Sequence, residues 1–142
     1  NSLIEQFGMK PYKLRVKEKY MSKRQLNHFK KILNSWKGQL EQEAEKTVNH
    51  MQKDSNSLAD PNDRATQESE FGLELRTRDR ERKLIRKIQN SLIKIDDGTF
   101  GYCEETGEQI GLQRLEARPV ASLTLEAQER REITEKQYTD SR

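Results

Sequence analysis

The chain has 142 residues, of which 36% are charged and only 31% hydrophobic, with 27 basic against 24 acidic side chains. A mean hydropathy of -1.13 leaves too little apolar material for one large globular core. No run approaches the roughly 18 apolar residues of a membrane span, and five cations between Lys10 and Lys19 stand where a secretory leader would be apolar. One cysteine, Cys103, allows no intrachain disulfide and fits a reducing cytosol.

Residues 1–20 carry five basic and two acidic groups and read as an extended or partly ordered lead-in. A first long helix is expected from Ser22. Ser22-Lys23-Arg24-Gln25 fits a capping box, with a hydroxyl at the N-cap and an amide three residues on. Leu26, Phe29, Leu33, Trp36 and Leu40 then recur in steps of three and four, and Ala44, Val48 and Met51 continue the stripe. That spacing is a coiled-coil seam. It fades at Asp54-Ser55-Asn56-Ser57, a run of turn formers.

A second helix opens with Asp60 at the N-cap, Pro61 at the first helical position and Asp63 at the third. Its apolar positions are Ala65, Phe71, Leu75, Leu84, Ile85, Ile88, Leu92 and Ile95, and Asp96-Asp97-Gly98 ends it. Each helix spans about 45–50 Å at 1.5 Å per residue. The short connection returns the second antiparallel to the first and leaves an acidic tip at 54–64. From Arg76 to Lys83 no residue is apolar, so the seam there must be thin or packed by side-chain stems.

Past Gly98 the chain becomes turn-rich. Ile110, Leu112, Leu115 and Val120 offer a modest core, with help from Tyr102 and Leu123. Pro119 breaks the chain, and Ser122 through Tyr138 reads as a final helix. Cys103-x-x-Thr106 and Thr124-x-x-Ala127 have the spacing of two zinc knuckles with one sulfur between them. Structural zinc needs four nitrogen or sulfur ligands, so no bound zinc is expected and Cys103 reads as a small buried thiol. It has no resolving cysteine for a redox switch. His28 and His50 read as ordinary helix positions. No phosphate loop or catalytic triad is present, and an enzyme is not expected.

Net charge by segment is +3 over 1–20, +4 over 21–53, −4 over 54–70, +5 over 71–95 and −5 over 96–142. A nonspecific DNA binder gathers its cations on one surface; here an acidic tip divides them. The pattern leaves open a nucleic-acid-binding coiled coil or a structural adaptor.

The order of these parts resembles the DksA/TraR family of bacterial transcription regulators. The resemblance is carried by Asp60-Pro61-Asn62-Asp63-Arg64-Ala65, by Arg78-Asp79-Arg80-Glu81-Arg82-Lys83-Leu84-Ile85, by Phe100-Gly101-Tyr102-Cys103-Glu104 and by Arg114-Leu115-Glu116-Ala117-Arg118-Pro119. It runs from Met21 onward, the first twenty residues matching poorly. It implies a mainly α fold: an antiparallel coiled coil over 21–95, then a degenerate zinc-finger-like module over 96–142 with a C-terminal helix. It also implies a cytoplasmic monomer that binds RNA polymerase, enters its secondary channel and modulates initiation in the stringent response. Guanosine tetraphosphate would be the co-effector, with no sequence-specific DNA binding. Asp60, Asp63 and Ala65 would act at the tip, although helix capping alone accounts for the two aspartates. Arg80, Leu84, Lys87 and Arg118 would face the alarmone, where Gln128 brings a hydrogen bond but no charge. Cys103, Thr106, Thr124 and Ala127 would mark a zinc-independent branch.

Overall fold

The protein is described by a computed structural model, which covers residues 2–55 and 61–140 without the side chains at 47, 50–55, 61–65 and 67. Five helices follow one another: α1 (Leu3–Gln6), α2 (Lys23–Ser55), α3 (Pro61–Asp97), α4 (Leu112–Ala117) and α5 (Leu125–Asp140). The two long helices α2 and α3 are the arms of an antiparallel coiled coil. Among the described residues no helix is long and apolar enough to cross a membrane. The chain divides into one unit of residues 1–33 and 90–142 and another of residues 34–89.

The first unit holds most of the buried apolar side chains. Phe29, Ile32 and Leu33 of α2 are fully buried, and the Phe29 ring meets Phe100 at 5.5 Å. Ile110, Leu115, Leu123 and Ala127 complete the core. Ile32 lies off the expected seam. It is buried because this end of α2 is packed on more than one side, which widens a two-position stripe into a face. Val120 and Leu112 are half-buried. Tyr102, expected in the core, is instead exposed and packs edge-on against Tyr20 at 5.6 Å.

The α2 start is built by the expected residues with one difference. Ser22 Oγ accepts from the Gln25 backbone N–H at 3.3 Å, as a capping box requires. The Gln25 side chain, however, reaches the N–H of Met21 at 2.7 Å, one residue before the cap. Ser22 N–H is already spent on the Lys19 carbonyl. The final helix begins three residues later than expected, because Thr124 caps it: its Oγ1 accepts from the Ala127 N–H at 3.2 Å. The short helix α4 was not legible as a helix; its N-cap is Gly111, which has no side chain to announce it.

The lead-in is anchored at several points. It carries α1, whose Ile4 is buried. Tyr20 Oη donates to the Gly101 carbonyl at 2.7 Å and accepts from the Gly111 N–H at 2.9 Å. Gly101 has φ +92, where an L side chain is strained, and a Cβ there would stand 3.0 Å from Met21 Cγ, so Met21 would have to shift.

In the second unit Leu40 is buried, while Trp36, Ala44, Val48, Phe71, Leu84 and Ile85 are half-buried. Leu75, expected in the seam, is 46% exposed. The non-apolar stretch packs a carboxyl instead: Glu81 is half-buried, and burial together with the nearby Glu43 pushes its pKa up. Ile88 is fully buried.

Candidate functional site

Three groups of residues bear on function. The first is the tip. Asp60 lies outside the described residues. Asp63 and Ala65 fall within α3, and their side chains are likewise outside what the structure describes.

The second group is the basic face of α3 in residues 34–89. Arg80 and Lys87 are exposed and Leu84 is half-buried. Spacings of four and three put all three on one side of the helix. Arg82 next to them is tied to Asp79 at 2.8 Å, a pair one turn apart. Arg118 belongs to the other unit. It is exposed, follows α4 as its C-cap, and lines a cleft of about 660 Å³ with Glu108, Ile110, Arg114, Thr124 and Leu125. Gln128 is half-buried and donates from Nε2 to Glu132 at 3.0 Å.

The third group is the knuckle. Residues 101–110 fold back on themselves: Cys103 N–H donates to the Glu108 carbonyl at 2.8 Å and Ile110 N–H to the Gly101 carbonyl at 2.8 Å. Glu104 N–H donates to the Ser122 carbonyl at 2.9 Å, joining the first knuckle to the second. Cys103 is buried in the fold that results. Burial pushes its thiol pKa up. The Thr106 hydroxyl and the backbone N–H groups of Thr124, Thr106 and Glu105 outweigh it and bring the pKa down to about 6. Thr124 Oγ1 lies 3.9 Å from Sγ, and Ala127 is fully buried beneath it. Thr106 and Thr124 both reach Cys103, and the Ala127 N–H is bonded to Thr124 Oγ1. The four knuckle positions offer one sulfur, two hydroxyls and a methyl, a donor set that does not fit a four-cysteine zinc site. Among the described residues no three metal-binding side chains cluster.

A polar network near the start of α2 escaped the sequence reading. Gln25 is fully buried, and its amide donates to Glu18 at 2.6 Å and to the Lys19 carbonyl at 3.2 Å. Glu18 also accepts from Tyr12 Oη at 2.6 Å and pairs with Arg24 at 2.9 Å. Hydrogen bonds from Gln25 and Tyr12 hold the Glu18 pKa down. Beside it, His28 Nε2 stands 3.3 Å from Glu116, which accepts the Tyr12 N–H at 2.6 Å. Burial lowers the His28 pKa, against the pull of Glu116. The one sequence signal for this network was Gln25 in the capping box; Tyr12, Glu18 and Glu116 are too far apart in the chain to announce each other.

The class of this two-helix coiled coil with its knuckle-like module is given by comparison with known proteins. The family model described as DnaK suppressor protein DksA, N-terminal domain, matches residues 25–95. The prokaryotic dksA/traR C4-type zinc finger matches residues 98–132. The RNA polymerase-binding transcription factor DksA of Haemophilus influenzae is 53% identical over 136 residues, covering 96% of this chain and 94% of that protein. The Escherichia coli K12 protein of the same name is 51% identical, covering 96% of this chain and 90% of that protein. The solved structure of transcription factor DksA2 from Pseudomonas aeruginosa superposes with a TM-score of 0.77 at 37% identity, covering 82% of this chain and 90% of that one. The chain belongs to the DksA/TraR family; it is a transcription factor and not an enzyme. The 136-residue alignment extends into the first twenty residues, while the N-terminal family model begins at residue 25.

Proposed function

We propose that this chain binds RNA polymerase, inserts its coiled coil into the secondary channel and modulates transcription initiation together with guanosine tetraphosphate. The observation that carries the reading is identity above 50% over 96% of the chain to proteins named as RNA polymerase-binding transcription factors. The working division is a lead-in over 1–20, a coiled coil over 21–95 with its tip at 54–64, and a module over 96–142. Asp60, Asp63 and Ala65 are the residues that act near the polymerase active site. Arg80, Leu84 and Lys87 of the return helix, and Arg118 of the module, contact the alarmone at the polymerase surface. Guanidinium and ammonium groups suit its phosphates, and the exposure of Arg80, Lys87 and Arg118 leaves them free to make those contacts. The protein works as a monomer in the cytoplasm, without zinc and without reading a DNA sequence.

The test is transcription in vitro from a ribosomal-type promoter with purified polymerase, with and without guanosine tetraphosphate. The wild type changes transcript yield, more strongly with the alarmone. Asp63→Asn keeps polymerase binding and loses the effect on yield. Equal loss of binding and of helicity in this variant would reduce Asp63 to a helix cap, and a wild type without effect on yield would end the reading.

A further inference from the structure

Residues 9–31 carry nine basic side chains and one acid. They belong to one unit and fold around a cleft of about 840 Å³ lined by Met9, Lys10, Lys13, Arg24, His28 and Lys31, with Pro11 and Tyr12 as its wall. The acids close to it are already engaged. Glu18 is held by Tyr12, Arg24 and Gln25, and Glu116 accepts the Tyr12 backbone N–H, with the His28 ring 3.3 Å away. Among the described residues Lys10, Lys13 and Lys31 have no acidic partner within ion-pair distance, and all three are exposed. The neighbouring Leu14 and Val16 are 64% and 92% exposed, two apolar side chains left in water beside a cationic cleft.

The chemistry of the lining selects among anions. A compact phosphate is best held by fixed, converging donors. Here the one guanidinium of fixed position, Arg24, spends Nη1 on Tyr12 Oη, the Lys13 carbonyl and Glu18. The remaining cations stand on long flexible stems. Single-stranded nucleic acid needs an open aromatic face on which to stack. The Tyr12 ring is covered by Arg24 at 4.6 Å and flanked by His28 at 5.2 Å. Spaced ammonium groups around Met9 and Pro11, with Leu14 and Val16 alongside, match a chain of carboxylates that also carries apolar side chains.

We propose that this cleft docks an acidic, partly apolar peptide segment of RNA polymerase. The inference rests on the polymerase-binding reading above and adds a contact surface on the lead-in and the first turns of α2, apart from the tip and the basic face of α3.

The test measures affinity for purified polymerase by fluorescence anisotropy of the labelled full chain at two salt concentrations. Lys10→Glu, Lys13→Glu and Lys31→Glu together should weaken binding by roughly tenfold or more and flatten its salt dependence. The same three lysines changed to Gln should lose about half that effect on a logarithmic scale. A control of equal charge, Lys19→Glu with Lys23→Glu and Lys30→Glu, should lose no more than about threefold. The lysines are exposed, so thermal unfolding should not move, and the Gln variant guards against a folding defect in the charge-reversed one. Equal affinity of wild type and cleft variant overturns the proposal, and so does an equal loss in the control. Salt-sensitive binding of wild type to bare DNA that only the cleft variant loses assigns the cleft to nucleic acid and likewise overturns it. A wild type that does not bind polymerase at all fails the underlying reading instead.

Discussion

The cage around Cys103 makes a prediction that separates hydrogen bonding from mere burial. A thiol buried in apolar surroundings titrates above its ordinary value of 9.0; this one titrates at about 6. At pH 7 roughly nine-tenths of it is then thiolate, against about 1% for an unperturbed thiol. The sign of the stability effect follows. The folded pKa lies below the unfolded one, so the folded state binds fewer protons between the two values. Stability therefore rises with pH across that window, is fully present above pH 9.0, and is lost as pH falls through about 6. His28 does not imitate this. Burial lowers its pKa from 6.5, so its contribution is complete above 6.5 and is lost only as the pH falls from there through its folded value. Thiolate ultraviolet absorbance followed against pH should show an inflection near 6 in the folded wild type. Thr106→Val, which removes the largest favourable contact, should move the inflection upward. Cys103→Ala should abolish it and remove the rise in stability seen by urea unfolding between pH 7 and 9. An inflection at the ordinary thiol value, or one that Thr106→Val leaves in place, would refute the cage.

Three further outcomes are expected. Gln25→Leu leaves the Met21 N–H without its partner and removes two hydrogen bonds from a fully buried amide. It should cost about 1–3 kcal/mol per orphaned group in urea unfolding followed by circular dichroism. Gly101→Ala sets a Cβ 3.0 Å from Met21 Cγ at a φ of +92, and should destabilise the protein by about 1–3 kcal/mol; Met21→Ala in the same chain should recover only the part due to the clash. A strong chelator should leave the melting temperature and transcriptional activity unchanged, and a fall in either that added zinc restores would show that a metal is held after all.

How much of this was legible in the sequence depends on the range of the interaction concerned. The long helices were readable because Ser22 and the three-four spacing of Phe29, Leu33 and Leu40 act within a few residues of each other. The pairing of the knuckle around Cys103 with that at Thr124 could be read because the spacing of two and two residues survives the loss of the ligands. Leu75 and Tyr102 were misplaced for the opposite reason. Apolar character at the right period says that a side chain could be buried, while its neighbours decide whether it is. The clasp of Tyr20 on Gly101 and Gly111, and of Tyr12 on Glu116, spans from 81 to 104 residues of sequence and leaves no local mark. Helix α4 begins after a glycine that caps without a side chain, a start that pattern reading has no means to detect.

That clasp bears on how a knuckle module stays folded on one sulfur. A structural zinc contributes about 10–16 kcal/mol to a small module. The hydrogen bonds of Tyr20 and of the Tyr12 N–H, at about 1 kcal/mol each, do not approach that figure. Apolar burial comes closer. Phe100, Ile110, Leu115 and Leu123 are each at least nine-tenths buried, and a fully buried side chain of this size is worth about 1.5–3 kcal/mol, so four supply roughly 6–12. The hydrogen bonds then have a different role. They fix the lead-in against the module and bring Met21 onto Gly101. If the lead-in packs over this core, variants of Tyr20 should weaken the module by exposing apolar surface more than by the loss of two hydrogen bonds. Tyr20→Phe, which keeps the ring and loses both bonds, should therefore cost about 1–3 kcal/mol in urea unfolding, and Tyr20→Ala clearly more. Equal costs for the two would place the whole effect in the hydroxyl and remove the covering role.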